Sequence, residues 1–371
     1  MNRIHLLLWI SNWTRISRKV CVNTVCKSTQ CLNAYNGGKL FAMASSVKKS
    51  EAMVLNETDW NEIKPQKLFK SYLQISKFNL TALITLTAAG GYIMSTPTLS
   101  WTVFPCILGT SLLSSSANAV NQLIESPYDA QMTRTSSRLL VIHRFTPLHT
   151  CGFALLTGSF GSTILWFGCN WCTAILGLIN FFLYVVTVLC LFLPGVYTPL
   201  KRHSIICTWV GAIVGAIPPL MGCAGSGNIT LSSVILSALV YCWQFPHFNG
   251  LSWNLRDDYT RAGYRVMCVV NERLCRASSL RNTLALIPLC SIGAPLSGLT
   301  TWTFSFGSLP LNLYFSYLSL QFYHRADSKS ARSLFIYSLL YLPLIFILMF
   351  LSKLESILGK KSSEEPHQVH L

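Results

Sequence analysis

The stretch that decides the reading is Asn121-Gln-Leu-Ile-Glu125-Ser-Pro-Tyr-Asp129-Ala-Gln-Met-Thr-Arg134-Thr135-Ser-Ser-Arg138, which closes an uncharged run that begins at residue 78. Spacings of four place Asn121, Glu125 and Asp129 one above another on a single helix face, so that their oxygens point the same way. Two arginines follow within two turns. Carboxylates set beside guanidinium groups neutralise each other unless something lies between them, and a divalent cation with a diphosphate satisfies both signs at once.

Outward from that stretch the chain is apolar. Its 371 residues have a mean hydropathy of 0.44 and only 11% charged residues, which excludes an ordinary soluble domain and indicates an all-α polytopic membrane protein. Nine apolar stretches, uncharged apart from Arg281 at one end, are long enough to cross about 30 Å of hydrocarbon, near 78–96, 101–123, 147–167, 171–193, 205–223, 229–248, 280–299, 303–323 and 333–352. Of the six acidic residues between 78 and 352, Glu125 and Asp129 belong to the first cluster, and Asp257 and Asp258 form a second. That second cluster lies in Gln244-Phe-Pro-His247-Phe, continuing to Trp253-x2-Arg256-Asp257-Asp258-Tyr259-x-Arg261-x-Gly263. Adjacent carboxylates on a regular helix point about 100° apart, so Asp257 and Asp258 share one metal only where the backbone is irregular.

The net charge of +16 is distributed by topology rather than for nucleic acid. With nine spans, the loops at 124–146, 194–204, 249–279 and 324–332 share a side with the N-terminus and hold all the basic loop residues. The short loops on the other face, near 97–100, 168–170, 224–228 and 300–302, have neither Lys nor Arg. This positive-inside asymmetry puts both acidic clusters on one membrane face. Gly195-Val-Tyr197-Thr-Pro-Leu-Lys201-Arg202 lies there too, as a phosphate grip or as topology-setting charge.

Residues 1–50 contain Arg3, Arg15, Arg18, Lys19, Lys27, Lys39, Lys48 and Lys49 with no Asp or Glu, which suits a mitochondrial transit segment or a disordered basic tail. A linker at 51–77, a nine-span domain at 78–352 and a polar tail at 353–371 complete the division. The fourteen cysteines lie mostly in apolar stretches and outline no disulfide framework. Cys169-Asn-Trp-Cys172 is a lone pair on the opposite face, weak as a metal site. His247, in an aromatic span end, reads as an interface residue or an iron ligand.

Taken together, these segments resemble the membrane-embedded UbiA-type prenyltransferases, over about residues 68–350, and within them the haem-farnesylating branch in its mitochondrial form. The resemblance rests on Asn121-Gln122 through Asp129 with Met132-x-Arg134-Thr135-x2-Arg138, on Tyr197-Thr-Pro-Leu-Lys201-Arg202, and on Gly211-x3-Gly215-x2-Pro218-Pro219-x2-Gly222. It is completed by Tyr241-x-Trp243-Gln244-Phe-Pro246-His247-Phe-Asn249 with Leu255-Arg256-Asp257-Asp258-Tyr259-x-Arg261-x-Gly263-Tyr264. It implies nine helices around a central cavity, with Mg2+ held by Asn121, Glu125, Asp129, Asp257 and Asp258. Lys77, Arg134, Arg138, Tyr197, Lys201 and Arg202 would bind the diphosphate of farnesyl diphosphate. Haem B would be the acceptor, with His247, Arg256 and Arg261 as candidate haem contacts, and haem O the product, passed to a downstream haem A synthase for cytochrome c oxidase. The expected location is the mitochondrial inner membrane, with the active-site loops on the matrix side.

The chain departs from the pattern at Leu139, where a proline is usual, and at Ile142-His143-Arg144, where a basic-Gly-Gln run is usual. Asn79, Cys207 and Cys223 stand where a basic residue, an Asn and a Trp are common. Three rivals stay open: a quinone-type polyprenyltransferase of the same fold, a transporter or channel, and a non-catalytic haem-binding assembly factor. Against a transporter, no charge lies in mid-span.

Overall fold

The structure, a computed structural model, describes residues 68–96, 100–189, 205–227 and 229–364. The basic segment 1–50, most of the linker, and Tyr197, Lys201 and Arg202 lie outside the described residues. Among these, the regular structure is all helical: α1 Leu68–Ile75, α2 Phe78–Ser95, α3 Val103–Asp129, α4 Pro147–Gly168, α5 Trp171–Leu189, α6 Cys207–Gly225 and α7 Leu231–Asn254. The short α8 Arg256–Arg261 and α9 Met267–Val270 precede α10 Glu272–Pro288, a π turn at Leu289–Gly293, α11 Ala294–Leu296, α12 Trp302–Arg325 and α13 Ser328–Glu364.

Among the described residues, eight of the expected stretches fall mainly on one helix each, the stretch at 280–299 is broken into α10, the π turn and α11, and five helices are long and apolar enough to cross a membrane. The boundaries move where local chemistry outweighs hydropathy. α10 starts at Glu272, eight residues before the apolar run, because the Asn271 side chain caps it by accepting from the Leu274 amide at 2.9 Å. α4 starts at Pro147, whose missing N–H is no loss in a first turn, after Thr146 accepts from the His149 amide. α7 runs on to Asn254, so the Gln244-Phe-Pro-His247 segment is helical, and α13 continues past 352 into the expected polar tail. α1 lies in the expected linker, with Ile75 fully buried beside Ala119, Leu139, Phe145 and Ala154.

The helices close around α7, which packs on α6, α10 and α13, while α3 lies along α4 and α2 along α6. A Cβ at Gly91 would sit 2.1 Å from the Pro219 carbonyl oxygen, and one at Gly222 would sit 1.8 Å from that of Ala88. These two glycines therefore let the α2 and α6 backbones touch, the close approach that drives helix association where lipid supplies no hydrophobic force. Outward faces carry exposed Leu83, Leu86, Phe160, Phe167, Ile347 and Phe350, apolar surface suited to lipid contact. Lys353 of α13 donates to the Ile93 and Thr96 carbonyls, satisfying acceptors that the end of α2 leaves open.

Candidate functional site

One face of α3 is polar along its whole second half, and the structure divides it between two tasks. Its deeper amides hold the corner between α1 and α2. Gln122 Nε2 donates to the Gln74 and Ile75 carbonyls at 3.0 and 2.7 Å, and Asn118 Nδ2 to the Ser76 carbonyl at 3.2 Å and Thr81 Oγ1 at 3.0 Å. Asn121 accepts from Lys77 Nζ at 2.5 Å, at a corner where Lys77 itself has a left-handed φ of 49°. Both were expected at the metal and the diphosphate. Neither lines the cavity below.

The carboxylates nearer the end of α3 have the other task. Glu125 and Asp129, 9% and 3% exposed, line a cavity of about 310 Å3 together with Met132, Arg134, Thr135 and Arg138 of the following loop. Asp129 forms an ion pair with Arg138, and its carbonyl accepts from Thr135 Oγ1 at 3.0 Å. The loop is held from beneath by buried Leu139, Leu140 and Phe145. The departure at Leu139 thus fills a packed apolar site in place of a proline ring, while His143 turns the chain with φ of 53°.

The remaining wall is apolar and aromatic. Tyr184 comes from α5, Cys207, Thr208, Gly211, Ala212 and Val214 from α6, Gln244, Phe245 and Phe248 from α7, and Tyr259, Tyr264 and Val266 from the α8 region. Burial pushes the Tyr264 hydroxyl up, and the nearby Glu125 and Asp129 carboxylates add to it, so Tyr264 stays protonated as a hydrogen-bond donor. Cys207, noted as a departure, lies on this wall, whereas Cys223 is buried elsewhere, its thiol donating to the Gly91 carbonyl at 3.3 Å.

The second acidic cluster meets the first at the same end of the bundle. Asp258 accepts from Thr133 Oγ1 and from Arg261 Nη2, both at 2.6 Å, which ties the α3–α4 loop to α8. The Thr133 hydroxyl, with the Arg261 guanidinium beside it, holds the Asp258 carboxyl below the usual carboxylate range. Asp257 points elsewhere and is exposed, because α8 is a regular helix and adjacent side chains diverge on it. Gly263, with φ of 71°, bends the chain only after that helix has ended. Asp257 is thus set apart from Asp258, and among the described residues no group of three or more His, Cys, Asp or Glu is placed to hold a metal. Glu125 and Asp129 nevertheless suit Mg2+, which takes one or two carboxylates and completes its shell with substrate phosphates and water.

The candidate haem contacts also lie off the cavity wall. His247 Nδ1 bonds Ser338 Oγ at 2.8 Å and its ring stacks on Trp243 at 4.7 Å, which makes it part of the α7–α13 contact. Arg256 pairs with Glu272 and lies 5.6 Å from the Trp253 ring. The spacing argument gave no role to Tyr184, Gly211, Phe245, Phe248 and Tyr264, although all but Tyr184 lie in the segments that carry the family resemblance.

Residues 82–342 match the model of the UbiA prenyltransferase family. The chain is 45% identical over 304 residues to the human protein named protoheme IX farnesyltransferase, mitochondrial, an alignment covering 80% of this chain and 66% of that protein. The protein of that name in Yarrowia lipolytica is 37% identical over 328 residues, covering 84% of this chain and 66% of its own length. The chain thus spans just under two thirds of these relatives. Among solved structures, a digeranylgeranylglyceryl phosphate synthase shares the fold with a TM-score of 0.65 at 11% identity, over 77% of this chain and 99% of that one. A UbiA homolog from Archaeoglobus fulgidus bound to GPP and Mg2+ has a TM-score of 0.56 at 12% identity, over 75% and 99%.

Proposed function

Since this chain belongs to the UbiA prenyltransferase family, we propose that it transfers the farnesyl group of farnesyl diphosphate to a vinyl group of haem B, giving haem O. The carrying observation is a cavity whose one rim bears Glu125, Asp129, Arg134 and Arg138 while its walls are aromatic and apolar. An anionic head and a greasy tail fit that division. The name borne by relatives 35–45% identical to this chain supports haem as the acceptor.

In the reaction the allylic C–O bond of farnesyl diphosphate breaks, diphosphate leaves, and the haem vinyl group attacks the farnesyl cation. Water then adds to the resulting cation as a hydroxyl and releases a proton. Arg134 and Arg138 bind the diphosphate and stabilise the charge that grows on it. Arg138, already paired with Asp129, would bridge the carboxylate rim and a phosphate oxygen. Glu125 and Asp129 would hold Mg2+, which supplies charge withdrawal from the leaving group. Tyr184, Phe245, Phe248 and Tyr259 line the cavity and would exclude water until the carbon–carbon bond has formed, since early water would hydrolyse the cation. Lys201 and Arg202 are proposed as further phosphate contacts. The mitochondrial inner membrane, with the acidic clusters facing the matrix, is the proposed setting, and a haem A synthase the consumer of the product.

The test is the purified protein with haem B, labelled farnesyl diphosphate and Mg2+, read by mass spectrometry, with an aromatic quinone precursor and a longer polyprenyl diphosphate as the competing pair. Haem O is the expected product. Prenylation of the aromatic ring without haem O would replace this reading with a quinone-type transferase.

A further inference from the structure

A glycine inside a helix is less favourable than alanine, so each one calls for a reason. α6 contains four. A Cβ at Gly215 would lie 2.1 Å from Gln244 Oε1, one at Gly222 would lie 1.8 Å from the Ala88 carbonyl oxygen, and one at Gly225 would lie 3.1 Å from Cys106 Sγ. Each of these makes room for a neighbour. Gly211 makes room for none: a Cβ there meets nothing within 4 Å among the described residues, and the position lies on the cavity wall.

The α6 part of that wall is Cys207, Thr208, Gly211, Ala212 and Val214, one helix face at spacings near four. All are small. The wall contributed by α5, α7 and the α8 region carries Tyr184, Phe245, Phe248, Tyr259 and Tyr264 instead. Width in this cavity is therefore controlled from α6, where the bare backbone at Gly211 is the position at which a side chain would enter space that no described residue fills.

We propose that Gly211 is a specificity-determining residue that sets the length of prenyl chain the cavity accepts, its missing side chain leaving room for the outer isoprene unit of a farnesyl group. This rests on the reading of the cavity as a prenyl diphosphate site. A benzyl group at position 211 is comparable in size to one isoprene unit, so Gly211→Phe takes that space, whereas Gly211→Ala takes little of it. The Cβ that both substitutions add meets no described atom within 4 Å, and both raise helix propensity.

The experiment measures kcat/KM for haem B prenylation with geranyl, farnesyl and geranylgeranyl diphosphate, and affinities for the non-hydrolysable thiolo analogues of the same three, in the full-length wild type, Gly211→Ala, Gly211→Phe and Ile213→Phe. Ile213 is on the same helix with an exposed side chain and serves as the control. In Gly211→Phe the geranyl-to-farnesyl ratio should rise at least about tenfold, the difference made by about 1.4 kcal/mol, with Gly211→Ala intermediate and Ile213→Phe unchanged. Geranylgeranyl binding should be lost first. An unchanged ratio in both kinetics and binding, or equal losses for all three chain lengths, would overturn the proposal. If the wild type prenylates no haem, the proposed function fails, while the analogue affinities still decide the role of Gly211.

Discussion

Asp129 and Glu125 differ from Asn121 in what surrounds them, although all three share one helical register. The first two face the cavity, and the third anchors Lys77. Glu125→Gln and Asp129→Asn should each lower turnover about a hundredfold or more, because a weakened Mg2+ site loses several kcal/mol of leaving-group stabilisation. Excess Mg2+ should restore part of the loss, and near wild-type haem O formation in either variant would make that residue a structural one. Asn121→Leu should act on stability instead. Losing the acceptor of a charged hydrogen bond costs about 1.5–3 kcal/mol, read as a lower Tm with prenyl diphosphate affinity nearly unchanged. A collapse in turnover at unaltered Tm would instead return Asn121 to the metal.

At the scale of elements, the α3–α4 loop and α8 are joined through the side chain of one acid. Asp258 takes its two hydrogen bonds from Thr133, 125 residues away, and from Arg261 on its own helix. Its folded-state pKa is depressed, so the stability it contributes is present above the unfolded carboxylate value of about 3.9 and is lost as pH falls through the lower folded value. Asp258→Asn should therefore lower Tm at neutral pH, and the gap to wild type should close only in strongly acidic buffer, below about pH 4. A gap that closes between pH 5 and 7 would assign the effect to another group. Thr133→Val should weaken the same tie, and Thr133→Ser should restore it.

At the scale of the molecule, the acidic clusters and the basic loops around them occupy one end of the bundle, as the Thr133–Asp258 contact requires. The opposite end holds the start of α7 and the contact of Lys353 with the end of α2. In mitoplasts, a membrane-impermeant maleimide should label an introduced cysteine at exposed Leu231 and reach one at exposed Ser137 only after the membrane is opened. Labelling of both positions, or of Ser137→Cys alone, would invert or abolish the matrix-facing arrangement.

The apolar runs determined that the chain is helical where it is apolar, because a chain in hydrocarbon must satisfy its backbone within each segment. Four-residue spacing likewise determined that Asn121, Glu125 and Asp129 share a face, and the one-sided basic loops implied that the two acidic clusters share an end. Tertiary structure alone decided which of those side chains reach the cavity. Asn121, a turn deeper on α3 than Glu125, meets Lys77, while packing leaves Asp257 to solvent and His247 to Ser338. The same holds for Phe245, Phe248, Tyr184 and Gly211: an apolar residue facing lipid and one facing a substrate cavity look alike in a membrane sequence, and only the positions of neighbouring helices distinguish them.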